Sequence, residues 1–390
     1  MTEHIGGRVR IWRRRRKLSQ ATLSGLVGIS QGYLSQIENG VRAVERRSTQ
    51  VALAAALDIS VADLLGQNSD PEDPVRARAS EAVAAVRVAL VNLEVGNVDP
   101  PRRAGTELEA AIEQMLDLRQ ASDHLTLAPM LPGLLRDAAS DPAALVRVAY
   151  VASACLRSLG YRDLARPAAR LAVDAAEELN DPAWSGMASF GYILALPVEA
   201  TAAAKRVSER TLVSLQRAAG DPDARQMLGQ IHLSAALAGA TAGKPSEAGA
   251  HLAAAEAEAL SLGEPPDGRG FFGSFFGPLN VHLWKMSLFA ELGEHGRVLE
   301  LAEGVPVQSI PIANRRQSYY LDRGRALAHG GKRDKEALIA LSQAERAAPA
   351  PFRLSPITRD TVSTMITRAK RRAVAEDLAA MAHRLGISPT

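Results

Sequence analysis

Cysteine is almost absent from this chain: Cys155 is the only one in 390 residues. No intrachain disulfide and no cysteine-based zinc site can be built from it, which suits a reducing compartment. Aromatic residues are scarce as well, at 4%. With Ala and Leu abundant, that scarcity favours helices packed through small residues over a β-sandwich. No apolar run approaches the ~18–20 residues of a membrane helix. The N-terminus is basic and then polar, without the apolar core of a signal peptide. The expectation is a soluble, cytoplasmic protein with no membrane partner. At 47% apolar and 23% charged residues the chain is globular, and its length suits two or three domains.

Signs of catalysis are also missing. The eight histidines are scattered, with no H-E-x-x-H or similar ligand pair, so no metal site, cofactor or catalytic residue is expected. The segment "GATAGKP", Gly239 to Pro245, superficially resembles a phosphate loop. It is one residue short, and Pro245 stands where Ser or Thr must hold magnesium. A turn between helices explains it better.

The net charge of +3 hides an asymmetry. Residues 1–65 hold ten Lys/Arg against five acids, a net +5, so the remainder carries −2. A basic head on a near-neutral body is the pattern of a phosphate-binding module joined to something else.

The head reads as five short helices. The first is expected from about Gly6 to Lys17, with Val9 and Ile11 or Trp12 as its apolar face and arginines around the rest. Ser19 is a good N-cap for a second helix, with Leu23, Leu26 and Val27 as its buried stripe. Gly28 follows where the chain must turn sharply. Ser30 caps a third helix, Gln31 to Asn39, with Leu34 and Ile37 inward and Gln31, Tyr33 and Gln36 outward. Gly40 ends it. A fourth helix is expected over Ser48–Leu57 and a fifth over Val61–Leu65, capped by Ser60.

This spacing, the Ser-Gln opening of helix two, the turn glycine and the close Ile37-Glu38-Asn39-Gly40 resemble the lambda-repressor-like (Xre-type) helix-turn-helix domain over about residues 5–66. The resemblance implies double-stranded DNA as partner. It implies a phosphate contact at Gln20, base reading by Gln31, Gly32, Tyr33 and Gln36, and a structural pair between Arg13 and Glu38. Ser30 and Arg42 complete the candidate DNA-facing set. The chemistry is apt: a glutamine can bond an adenine edge through both donor and acceptor, and arginines and helix N-termini suit phosphate oxygens. Gly32 has no side chain, so the reading face is sparse.

"GQNSDPEDP" is polar, acidic and proline-containing, which makes residues 67–74 an expected linker after a domain of residues 1–66. Beyond it, residues 75–390 carry helical periodicity, and the Asp-Pro pairs suit helix starts. Glycine turns at Gly160, Gly243, Gly293 and Gly331 precede similar small-residue helices, 83, 50 and 38 residues apart. The pattern resembles degenerate tetratricopeptide (TPR) repeats, which implies a right-handed α-solenoid. The fold expectation is therefore all-α, a five-helix head followed by a TPR-like solenoid.

The whole arrangement resembles actinobacterial-style regulators with an Xre-type head and a TPR-like sensor and, more distantly, peptide-sensing regulators of Gram-positive bacteria. That resemblance implies a homodimer and a peptide or small-molecule effector on the concave face. Asn280, Trp284, Asn314 and Arg316 are the candidate ligand contacts, since Asn can pair with a peptide backbone and Arg with a carboxylate. The same helical faces also suit core packing, and a second reading keeps the body as a DNA-localised scaffold for a partner protein.

Overall fold

A computed structural model describes residues 4–66, 74–369 and 376–387, with only the backbone of 74–78. All regular structure among these residues is helical. The head comprises α1 (Ile5–Arg15), α2 (Gln20–Val27), α3 (Gln31–Glu38), α4 (Arg47–Leu57) and α5 (Val61–Leu65). Ser19, Ser30 and Ser60 each accept a first-turn backbone N–H, at Thr22, Tyr33 and Asp63. Helix α1 stops two residues before the expected Lys17, which takes a positive φ of 57° so that Leu18 and Ser19 can turn into α2. Ile5, Val9, Leu23, Leu34, Ile37, Leu53, Leu57 and Leu64 form the head's own core. Gly6 permits the closest approach within it: a Cβ there would collide with the Ile37 carbonyl.

Most of the expected linker, residues 67–73, lies outside the described residues; Pro74, its last residue, opens a helix. The body runs α6 (Pro74–Glu94), α7 (Thr106–Gln120), α8 (His124–Leu127), α9 (Leu131–Asp137), α10 (Pro142–Ser158) and α11 (Arg162–Leu179). It continues with α12 (Pro182–Ala195), α13 (Thr201–Arg217), α14 (Pro222–Thr241), α15 (Pro245–Leu262), α16 (Pro278–Leu292) and α17 (His295–Ala302). It closes with α18 (Ala313–Ala328), α19 (Asp334–Ala347), α20 (Pro349–Leu354), α21 (Pro356–Ala369) and α22 (Glu376–Arg384). Consecutive helices pack in pairs, α10 on α11, α14 on α15, α16 on α17 and α18 on α19, and further contacts such as α12 on α14 and α14 on α16 join these into an extended helical body. Asp141, Asp181 and Asp221 cap α10, α12 and α14, with proline following each. The four repeat glycines turn at φ between 72° and 90°, a region a Cβ disfavours. "GATAGKP" is the turn from α14 into α15.

Small residues set the helix spacing. Ala149 and Ala152 of α10 and Ala165, Ala168, Ala169, Ala172 and Ala176 of α11 are buried together. The aromatic groups mostly pack on one another: the Trp184 ring lies 4.7 Å from Phe271 and 5.1 Å from Phe272, and Phe190 meets Trp284 edge-on. None of the described helices is long and apolar enough to cross a membrane.

Candidate nucleic-acid interface and interdomain cavity

In the head, Arg13 and Glu38 form a bidentate pair, Nε to Oε1 at 2.5 Å and Nη2 to Oε2 at 2.8 Å. Arg13 Nη1 also donates to the Leu18 carbonyl at 2.8 Å, tying α3 to the end of α1. Burial opposes ionisation of Glu38, but the hydrogen bonds from Arg13 and Gln20 outweigh it and hold the carboxyl below its usual range. Gln20, expected at a phosphate, spends its amide on Glu38 Oε2 at 2.8 Å. Its side chain thus orients Glu38, and its place at the start of α2 leaves the helix N-terminus to face an anion.

On α3, Gln31, Gly32 and Gln36 are exposed on one side of the helix. Tyr33 is half-buried and packs against the head core. Ser30 is held in its cap. The arginine run divides by role. Arg8 bonds the Leu64 and Leu65 carbonyls, Arg13 pairs with Glu38, and Arg16 bonds the Leu57 and Asp58 carbonyls. Arg10, Arg14, Arg15 and Lys17 remain exposed.

The head docks on the body through contacts that no local pattern announces. Asp360 of α21 accepts from two head amides, Ile5 N–H and Val44 N–H, each at 2.8 Å. It is 3% exposed, and burial, only partly offset by those N–H groups, pushes its carboxyl up to about 6. Glu291 accepts from Arg47 N–H at 2.8 Å, and Glu199 from Val61 N–H at 2.8 Å. Arg325 donates to the Glu45 carbonyl at 2.5 Å.

Beside these, the Glu45 carboxylate meets His295 Nε2 at 3.1 Å and His329 Nδ1 at 3.3 Å. The two imidazoles stack with centroids 3.8 Å apart. Burial disfavours the Glu45 charge, yet the bonds from His295 and His329 and the field of Arg325 prevail and hold its pKa at about 2. Two of the histidines that look scattered in sequence thus meet one carboxylate, with one donor atom from each of the three residues inside 4.8 Å of the others. A divalent ion needs such a donor set, but the Arg42 guanidinium lies 3.0 Å from His329 Nε2. With that cation and Arg325 alongside, the arrangement favours a hydrogen-bonded clasp. Arg42, expected at DNA, is engaged at this clasp instead.

A cavity of about 1730 Å³ lies along the body and reaches the head, where Arg47, Gln50 and Val61 line it. Of the residues expected at a ligand, Trp284 and Asn314 line it. Asn280 is fully buried off the lining, with neither side-chain polar atom hydrogen-bonded. Arg316 is directed away and bonds the Ile310 carbonyl at 2.5 Å. Its neighbour Arg315 faces the cavity, 5.0 Å above the Trp284 ring. Adjacent residues of a helix point about 100° apart, and packing turns Arg316 to Ile310 while Asn314, Arg315, Gln317 and Ser318 line the cavity. Arg119, Arg157 and Arg162, which sequence reasoning passed over, line it as well.

A family model described as a helix-turn-helix domain matches residues 4–65, so the head is a helix-turn-helix domain. No curated protein matches the chain significantly. Among solved structures, the crystal structure of Bacillus thuringiensis PlcR in complex with the peptide PapR7 and DNA is similar over 89% of this chain and 94% of that one, at 12% identity and a TM-score of 0.35.

Proposed function

We propose that the chain is a sequence-specific DNA-binding transcriptional regulator whose helical body holds the head and biases its position in response to a ligand. One observation carries this reading: the docked helix-turn-helix domain keeps the outer face of α3 open. Among the described residues the hydrogen bonds to the body come from Ile5, residues 42–47 and Val61, and none from Gln31, Gly32 or Gln36. The body therefore does not mask the reading face. It sets where that face points, which matters most when two heads must meet half-sites about 34 Å apart.

Dimerisation belongs to this proposal. Val88 and Val91 on α6 and Val95 just past its end stand exposed at helical spacing and offer an apolar seam to a second copy. The cavity supplies the place for an effector, with both head and body residues in its lining.

The test is selection of bound sequences from random duplex DNA, followed by binding of the selected site and of unrelated DNA. Gln31→Ala with Gln36→Ala should abolish preference for the selected site and leave non-specific affinity nearly intact. Equal loss on both DNAs would refute base reading by these glutamines.

A further inference from the structure

The cavity's charges are unbalanced in a way that defines what it can bind. Eight arginines and five carboxylates line it. The carboxylates are largely committed. Asp163 pairs with Arg87 and Asp322 with Arg325, while Glu199 and Glu291 accept head amides. The guanidiniums of Arg157, Arg162 and Arg315 make no hydrogen bond or ion pair among the described residues. Arg119 donates only to neutral oxygens, the Phe272 carbonyl at 3.3 Å and the Tyr150 hydroxyl at 3.1 Å.

These guanidiniums face the cavity and are walled by protein. Burial, and then repulsion from Arg157 and Arg119, pushes Arg315 down to about 10. Burial, with repulsion from Arg157 and Arg47, outweighs the attraction of Glu199 and pushes Arg162 down to about 10. Enclosed guanidiniums that outnumber the carboxylates beside them are costly, and either an anion or loss of charge relieves the excess. Guanidinium does not lose its proton in proteins, so an anion is the available relief. The lining also includes Met187, Phe190, Ile193 and Trp284, which suit an apolar part of the occupant.

We propose that the cavity binds an organic oxyanion, its carboxylate or phosphate held among Arg157, Arg162 and Arg315 of the body and Arg47 of the head. This deepens the regulator reading and rests on it for the consequence in DNA binding. Arg47 opens α4 and bonds Glu291 through its backbone N–H, with its Nε 3.7 Å from Glu291 Oε1. An anion between Arg47 and the body arginines competes with Glu291 for that guanidinium. Ligand binding then acts on the head at the docking contact itself, without a relay through the helical body.

The test uses the full chain with pyrophosphate and citrate as probes, against chloride at matched ionic strength, read by thermal unfolding. At least one probe should raise Tm by roughly 2–4 °C, the scale expected for a site near saturation. Response to citrate alone assigns a carboxylate ligand, and response to pyrophosphate alone a phosphate ligand. The variant R157Q/R315Q should be more stable than wild type in chloride, because repulsion is removed, and should lose the response. If that variant does not fold, R162Q carries the same comparison. Hydrogen exchange over residues 41–50 should change with the responding probe in wild type and not in R47Q. No probe effect, or an undiminished effect in the folded variant, overturns the proposal. An anion response without DNA binding would keep the site and reject the regulator reading; DNA binding without an anion response would do the reverse.

Discussion

Replacing Asp360 with alanine tests how the head is held. The substitution leaves the Ile5 and Val44 amides buried without their acceptor. Each such group costs about 1–3 kcal/mol, so the direct loss is about 2–6 kcal/mol. A second effect opposes it. Burial raises the Asp360 pKa from 3.8 to about 6, so carrying this carboxyl into the docked state costs about 3 kcal/mol at pH 7, where it stays ionised, and about half that at pH 5, where it takes up a proton. Alanine relieves this cost.

The sign follows from proton counts. Between the two pKa values the docked state binds more protons than the undocked one, so docking through Asp360 weakens as pH rises through that window. The variant lacks this dependence. Asp360→Ala should therefore be more harmful at pH 5 than at pH 7, by about 1.4 kcal/mol, whatever the amide bonds contribute. Hydrogen exchange, corrected for intrinsic rates, over residues 4–9 and 41–47 in both proteins measures the difference. The clasp at Glu45 is present in both proteins and cancels. An effect equal at the two pH values, or larger at pH 7, would refute the raised pKa and the docking role built on it.

Glu38→Ala should destabilise the head by about 3 kcal/mol in calorimetry, because Arg13 is left largely buried with only the Leu18 carbonyl. Glu38 titrates below its usual range, so its contribution is present above the unfolded carboxyl pKa and lost as pH falls through the folded value. The two proteins should converge in strong acid, and a loss under about 1 kcal/mol at pH 7 would contradict the pair's role. Gly32→Ala meets no atom within 4 Å and should add about 0.5 kcal/mol of helix stability. If the bare backbone of α3 is there to approach DNA, the same change weakens binding to the selected site, and unchanged affinity would remove that explanation. Val91→Glu should shift the chain from dimer to monomer by light scattering; a dimer that persists would place the seam elsewhere.

The head was legible because its signals are local. Ser19, Ser30 and Ser60 cap helices that begin one residue later, and the apolar spacing selects the buried face of α3; in α2 it picks out Leu23 and the partly buried Val27, whereas Leu26, expected in the same stripe, is 63% exposed. Boundaries shifted by a residue or two where turn geometry decides, as at Lys17. The Arg13–Glu38 pair came from resemblance to a domain type, since 25 intervening residues carry no pairing signal. The repeat glycines and Asp-Pro caps of the body were legible for the same local reason.

The contacts between the two parts were not. Ile5 and Asp360 are 355 residues apart, and an isolated aspartate inside a threonine-rich helix resembles any other polar position until Ile5 and Val44 are placed against it. Glu45, His295 and His329 show no ligand spacing because three separate elements supply them. Arg315 and Arg316 differ only by rotation about α18, and packing chose which one faces the cavity. Short-range rules of capping, turning and periodicity are carried in the chain's order, so the kinds of helices and the likeness of the head followed from it. Docking, the clasp and the cavity's excess of positive charge depend on which distant side chains packing brings within a few ångströms, and that became visible only in the folded molecule.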